Sequence, residues 1–336
     1  MAEVTTDVDG KAQSKDLKLG TYTVTEKTAP FGYILNPDVL SVTLSYAGQN
    51  EAISYSTVNV PEKLQPGIIR VHKQNSAPAL GDYSLKGAVF EVRDAGGDLV
   101  DTITTDEAGN AQTKELPLGS YNVREKTAPF GFVINTETFN AVLAYAGQTV
   151  AVTYTDVTIP ERPQTGKITV TKLDVVTGAT AQGDSTLAGA VFEVYKADKT
   201  TVADTIYCGS NTFGTTVELP LGTYYIKEKV PPVGYTLDPN FYEVKIEYEG
   251  QDVSVVTRKM DVKNKVIEGQ IALTKHTDEP DSSVSPSNEQ VEQPLEGAVF
   301  EVYLKSAGSY AKAKETERDL LTTNENGYAF RSGVFV

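Results

Sequence analysis

Three stretches of the chain repeat nearly the same words, and they constrain its fold more than anything else in it. Residues 20–33 read GTYTVTEKTAPFGY, residues 119–132 read GSYNVREKTAPFGF, and residues 222–235 read GTYYIKEKVPPVGY. Each is a strand followed by a Pro/Gly turn with an aromatic just beyond it. Alternate residues of a strand share a face. Tyr22, Val24 and Glu26 therefore point one way, as do Tyr121, Val123 and Glu125, and Tyr224, Ile226 and Glu228. If the aromatic and aliphatic side faces the core, each copy carries a glutamate into its own interior. A buried carboxylate is costly unless it is protonated, paired or hydrogen-bonded.

The rest of the chain agrees with an all-β reading. It is rich in Thr, Val, Tyr and Gly, has no Trp, and its short alternating segments are bounded by turn residues. A formal charge of −15 makes nucleic acid and anionic membranes poor partners. Cys208 is the one cysteine, which excludes an internal disulfide and reads as a half-buried strand residue. No apolar run reaches bilayer length, so no membrane insertion is expected, and residues 1–10 are too polar for a signal peptide. His72 and His276 lie far apart without Cys companions, so no metal site is expected, and no phosphate loop or cofactor motif occurs. Carboxylates recur once per repeat and do not converge in one cleft, which argues against a glycosidase and against any enzyme with turnover.

The turn glycines Gly32, Gly131 and Gly234 are spaced by 99 and 103 residues. Two further markers recur with them. One is GAVFEV, starting at Gly87, Gly189 and Gly297; the other is a strand ending in Lys73, Lys172 or Lys275. A complete unit runs from this Lys strand through GAVFEV and a hairpin to the Glu strand and then the closing strands. Residues 65–162 and 163–266 are complete by that template. Residues 1–64 read as the C-terminal half of a unit and 267–336 as the N-terminal part of another. The junctions around Pro61–Pro66 and Pro160–Pro163 read as semi-rigid linkers, which predicts an elongated array of tandem sandwiches. Within the second junction Pro163-Gln164-Thr165-Gly166 resembles the tail of a sortase sorting signal but reads as linker, since Arg162 precedes it and no hydrophobic span follows. The stretch from His276 to Pro294 is acidic and Ser/Pro-rich and reads as a solvated loop.

Period-two alternation aims each strand's lysine the same way as its aliphatics. Ile168, Val170 and Lys172 share a face, and so do Met260, Val262 and Asn264 of the closing strand. Lys172, Glu228 and Asn264 thus converge on one interior. Burial lowers a lysine pKa and raises a glutamic acid pKa. A neutral amine is a nucleophile, and a neutral carboxylic acid can polarise a carboxamide. Lys172 can then attack the Asn264 side-chain carbonyl, releasing ammonia and leaving an isopeptide crosslink, with Glu228 relaying protons. Fixed neighbours have a very high effective concentration, so one slow turnover suffices. The competing reading is a hydrogen-bonded polar cluster with no covalent bond.

K-x-D at the Lys strand, L-x-G-A-x-F-E-V, Y-x-x-x-E-x-x-x-P-x-G-Y and a closing-strand Asn together resemble the Cna protein B-type domain. This family is also called the SpaA-type or prealbumin-like domain, and it occurs in surface adhesins and pilins of Gram-positive bacteria. The resemblance covers essentially the whole chain. It implies an Ig-like β-sandwich and a Lys–Asn or Lys–Asp crosslink with Glu as catalyst, roles that fall to Lys172, Asn264 and Glu228. It also implies a secreted protein attached to the cell wall, working as a stalk or spacer. The alternative is an adhesin module that recognises host extracellular matrix or glycan through its rim loops.

The other units depart from the pattern. Thr158 stands where Asn59 stands in the first unit and cannot acylate a lysine, so Lys73, beside Glu125, is left to bond in a shifted register to Asp156, two residues earlier, to pair ionically with it, or to stay unlinked. Glu26 and Asn59 have no lysine within their unit, and Lys275 has no partners within its own. Two readings stand for these half-units: simple truncation, or two chains complementing head to tail with Lys275 meeting Asn59 beside Glu26.

Overall fold

The computed structural model describes residues 3–277 and 293–335, with side chains described as far as residue 330. The interior of the acidic loop, residues 278–292, lies outside the described residues. The chain forms two compact units, residues 1–76 with 83–162 and residues 77–82 with 163–336.

In the first unit, residues 65–162 form two facing four-stranded sheets. One holds, in order, Phe132–Val133, the closing strand Thr153–Pro163, the Lys strand Gly67–Asn75 and Asn110–Gln112. The other holds Thr138–Leu143, the Glu strand Gly119–Thr127, Val89–Asp94 and Leu99–Thr104. Their alternating inward residues, among them Ile69, Val71, Phe90, Val92, Tyr121, Val123 and Ile159, make one core. Full burial of each such side chain contributes on the order of 1.5–3 kcal/mol. The Lys and closing strands are the first and last of the repeat. They lie side by side and run parallel, from Gly67 beside Thr153 to Asn75 beside Glu161. The preceding residues contribute two small antiparallel pairs, Gly20–Val24 with Leu40–Leu44 and Tyr33–Ile34 with Lys63–Leu64.

In the second unit, residues 163–266 repeat the plan. The Lys strand Thr165–Asp174 pairs in parallel with the closing strand Val255–Asn264. Opposite them, Val202–Tyr207, Val191–Tyr195, the Glu strand Gly222–Val230 and Phe241–Ile246 form an antiparallel sheet. Beyond it, Glu268–Thr274 pairs with Tyr328–Phe335, and Val299–Tyr303 with Arg318–Thr322. Cys208 is buried just past a strand end, not half-buried within one, and burial pushes its thiol up to about 11.

Local chemistry explains the repeated words. The tyrosine of each Glu strand turns its hydroxyl back to the carbonyl four residues earlier: Tyr22 to Lys18, Tyr121 to Pro117 and Tyr224 to Pro220. A buried phenol needs such a partner. Gly131 and Gly234 sit at φ +89° and +88°, and a Cβ there would meet Tyr83 or Ser185, so the turn demands glycine.

Both inter-repeat junctions are more built than a linker. Gln65 and Gln164 are buried, and each spans one hairpin of the repeat it opens. Gln65 Nε2 donates to the carbonyls of Gly147 and Val150 at 3.0 and 2.6 Å, and its oxygen accepts from Ala146 N at 2.8 Å. Gln164 Nε2 donates to Gly250 and Val253 at 2.8 and 2.5 Å, and its oxygen accepts from Glu249 N at 2.8 Å. Truncating the side chain leaves a buried N–H and two carbonyls without it, each costing on the order of 1–3 kcal/mol. Gln164→Ala is therefore expected to lower the unfolding midpoint of residues 163–266 and to speed hydrogen exchange at the Glu249 amide. Unchanged protection at that amide would remove the latch.

Candidate functional site

The parallel pairing of Lys and closing strands sets the offset of the site. Lys172 lies opposite Val262, and Asn264 comes two residues further along the same inward face. Across the sandwich, Glu228 of the Glu strand lies opposite Phe192. All three polar side chains are buried, Lys172 completely. The Lys172 ammonium nitrogen donates to the carbonyls of Val262 and Leu173 at 3.0 and 3.1 Å. Asn264 Nδ2 donates to Glu228 Oε2 at 2.6 Å and to Thr236 O at 2.8 Å. The same Glu228 oxygen accepts from Asp238 N at 2.8 Å.

Burial dominates the electrostatics. It pushes the Lys172 amine below its ordinary pKa, against the opposing pull of the Glu228 charge. It pushes the Glu228 carboxyl upward, although the Asp238 N–H and the Asn264 amide favour the ionised form. Both shifts favour neutral groups, the forms an amine nucleophile and a proton donor require. Glu228 Oε1 and Asn264 Oδ1 are buried without a hydrogen-bond partner. A protonated carboxyl supplies a donor where an ionised one has only acceptors.

Asp174, two residues after Lys172, is also buried. It accepts from Val176 N, Thr177 N, Gln182 Nε2 and Tyr235 OH at 2.7–2.9 Å. Burial works against its charge, but these bonds together hold its carboxyl below the ordinary value. The K-x-D and G-Y words are therefore two ends of one contact that ties the Lys strand to the turn after the Glu strand. In the preceding repeat the corresponding residues are Asn75 and Phe132, and the Tyr83 ring packs edge-on against Phe132 at 5.8 Å.

In residues 65–162 the expected partner of Lys73 is corrected. Asp156 faces outward, half exposed, where it pairs with Arg70 at 2.8 Å and with His72 Nε2 at 3.0 Å. The residue at the site is Glu161. Lys73 lies opposite Ile159, and Glu161 follows two residues later, the same offset that relates Lys172 to Asn264. Lys73 Nζ contacts Glu161 Oε2 and donates to Glu125 Oε1 at 2.5 Å, with all three side chains essentially sealed from solvent. The reading that ended the strand before Pro160 missed this, because proline argues against a strand interior. Here the strand continues through Pro160 to Pro163, and Asn135 Nδ2 donates to the Pro160 carbonyl at 3.0 Å.

In the first unit Asn59 is exposed, and so is Glu62, in the Val-Pro-Glu that matches Ile-Pro-Glu at 159–161, although Glu62 reaches Glu26. The Glu62 carboxyl is pushed upward by burial and by a hydrogen bond with Glu26, which itself accepts from Asn36 N at 2.7 Å. Lys275 is exposed, just past the end of the strand Glu268–Thr274. Sequence reasoning missed Glu161, Glu62 and the two junction glutamines. The repeated Pro-Glu pair was the available signal.

Comparisons with known proteins bear on the fold that carries this site. A family model for the SpaA prealbumin-like fold domain matches residues 1–59, 67–158 and 166–261. The trypsin-resistant surface T6 protein of Streptococcus pyogenes serotype M6 is 36% identical over 66 residues, 20% of this chain and 12% of that protein. The Bacillus anthracis TIE protein superposes with a TM-score of 0.56 at 25% identity, covering 78% of this chain and 45% of that one. A streptococcal ancillary pilin is 18% identical with a TM-score of 0.26, covering 79% of this chain and 80% of that one. The chain thus spans less than half the length of the first two.

The surface position of Asp156 has a measurable consequence. Hydrogen bonds to Asp156 and Asn110 raise the His72 pKa above its ordinary 6.5. A raised histidine pKa stabilises the fold below the ordinary value, and that contribution fades as pH rises through the folded-state value. An NMR titration is expected to place the His72 midpoint above 6.5, and Asp156→Asn to bring it down. An unmoved midpoint in the variant would dissociate the pair.

Proposed function

Because the chain belongs to the family of SpaA prealbumin-like fold domains, we propose that it is a load-bearing stalk segment of a Gram-positive surface pilin or adhesin. On this reading it is displayed outside the cell, attached to the cell wall, and associates with neighbouring repeats. Residues 65–162 and 163–266 are its whole repeats, flanked by parts of two others. The carrying observation is the sealed Lys172, Glu228 and Asn264 set, placed between the first and last strands of one sandwich.

The proposed chemistry is a single internal acyl transfer. The neutral Lys172 amine attacks the Asn264 side-chain carbonyl carbon. Glu228, entering as the neutral acid, gives its proton to the amide nitrogen it already holds and takes one from the attacking nitrogen, so that ammonia leaves and Glu228 is restored. Fixed neighbours react with effective molarities of about 10⁵–10⁸ M, which supports one turnover without a cofactor.

The mechanical consequence follows from strand direction. The chain enters the repeat at Thr165 and leaves beyond Asn264, and the two strands run parallel. Tension passes up the Lys strand to Lys172, across the bond and out at Asn264. The residues between them lie off the line of force. Closing so long a loop also restricts the unfolded chain, contributing on the order of 4 kcal/mol by the chain-entropy estimate used for disulfides.

The intact protein is expected to lose one ammonia from its calculated mass at this site, with a branched peptide joining Lys172 to Asn264. Glu228→Ala is expected to restore that ammonia and to lower stability by about 4 kcal/mol. A wild-type digest with free Lys172 and intact Asn264 would end the proposal.

A further inference from the structure

The two complete repeats bury different acyl groups against their lysines. Asn264 is a carboxamide, whereas Glu161 at the same offset is a carboxylic acid. Resting on the reading that these repeats crosslink themselves, we propose that Lys73 and Glu161 form a second, chemically different isopeptide bond, made with loss of water and assisted by Glu125.

The geometry favours this over a plain buried ion pair. Lys73 meets two carboxyl groups in a site with essentially no solvent, which leaves one carboxyl too many for its single charge. Glu125 is already held: its Oε1 accepts from Lys73 and its Oε2 from Asn135 N at 2.8 Å. Glu161 is not held in that way. Its Oε1 is buried without a hydrogen-bond partner, and its Oε2 has only the Lys73 amine against it. Charges taken out of water are stabilised only by excellent geometry and full hydrogen bonding. Joining the ammonium and carboxylate into a neutral amide removes both charges from the interior. Phe90, whose ring centre lies 5.1 Å from Lys73 Nζ, helps to keep water out.

The step balances without any outside reagent. One proton of the lysine ammonium is transferred within the cluster, giving a neutral amine and a neutral Glu161 acid. The amine lone pair attacks Glu161 Cδ, and the C–N bond forms. Glu125 accepts a proton from the attacking nitrogen and passes it to the departing hydroxyl. The C–O bond breaks, one water leaves, and Glu125 returns to its starting state. Amide formation from an acid and an amine is unfavourable in dilute water, but a held pair of high effective molarity in a dry site reverses that balance.

The burial of Lys73 supports the neutral amine: it lowers the amine's pKa against the opposing pull of Glu125. Asp156 takes no part in the chemistry.

The test is accurate intact mass of the full chain, followed by peptide mapping. The expected result is a chain lighter by one ammonia and one water, with a branched peptide joining Lys73 to Glu161. Glu161→Gln is expected to exchange the water loss for a second ammonia loss at the same pair of positions, because the acyl donor becomes a carboxamide. Glu125→Ala is expected to abolish the water loss alone and leave the Lys172–Asn264 ammonia loss in place. Circular dichroism of each variant confirms folding. A wild-type chain that loses only ammonia, with Lys73 and Glu161 recovered on separate peptides, overturns this inference and leaves the stalk reading standing. A water loss mapped elsewhere, such as a succinimide at Asp9-Gly10, overturns it equally. A chain that loses neither molecule overturns both readings.

Discussion

A lysine amine sealed inside an apolar sandwich must lose its charge, find a partner or react, and the two complete repeats are arranged around that necessity. Lys73 and Lys172 stand on the first strand of their sandwiches with aliphatic neighbours on the same face. The Lys73 amine meets Glu125 of the facing sheet and Glu161 of the parallel last strand, whereas the Lys172 amine rests on the Val262 and Leu173 carbonyls, and Asn264 of the last strand bonds Glu228 of the facing sheet. Among the described residues, six buried side-chain polar atoms lack a hydrogen-bond partner, and four of them belong to these two clusters. Ordinary structural polar clusters are satisfied. Here the unsatisfied atoms concentrate at two equivalent places, the groups that the proposed crosslinks use.

The same topology gives the chemistry a mechanical meaning. Antiparallel first and last strands would place entry and exit of a repeat at one end. Parallel ones place them at opposite ends, so that a pull along the chain shears the pair. A bond near the far end of both strands shortcuts everything folded between. The glutamine latch and the Asp174–Tyr235 contact act on the same region by non-covalent means, holding the start of the Lys strand and the turn after the Glu strand. Together they keep the reacting groups aligned before any bond exists, when proximity matters most.

Much of this was legible from alternation alone. The Glu strand and Lys strand announce an inward glutamate and an inward lysine by period two, and Asn264 follows from the same count because no proline interrupts its strand. The count failed where it met Pro160 and Pro61. Proline lacks an N–H and usually ends a central strand, so the reading stopped short and assigned Asp156 and Asn59. The closing strand instead runs past Pro160, and the inward position moves to Glu161. Gln65 and Gln164 were hidden for a different reason. A polar residue beside Pro and Gly reads as linker, and only the folded hairpins of residues 145–150 and 248–253 reveal the groups it satisfies. The family resemblance gave fold and theme; the acid in place of the amide is particular to this chain's residues.

The central claim is that the Lys strand and the closing strand of residues 163–266 are joined through Lys172 and Asn264. Single-molecule stretching of the chain by its two ends tests it most directly. The account predicts that the roughly 90 residues between these two positions, about 300 Å of extended chain, never appear in the unfolding length. Glu228→Ala should release them. Release of that length from the wild-type chain at forces typical of an unlinked sandwich would contradict the account.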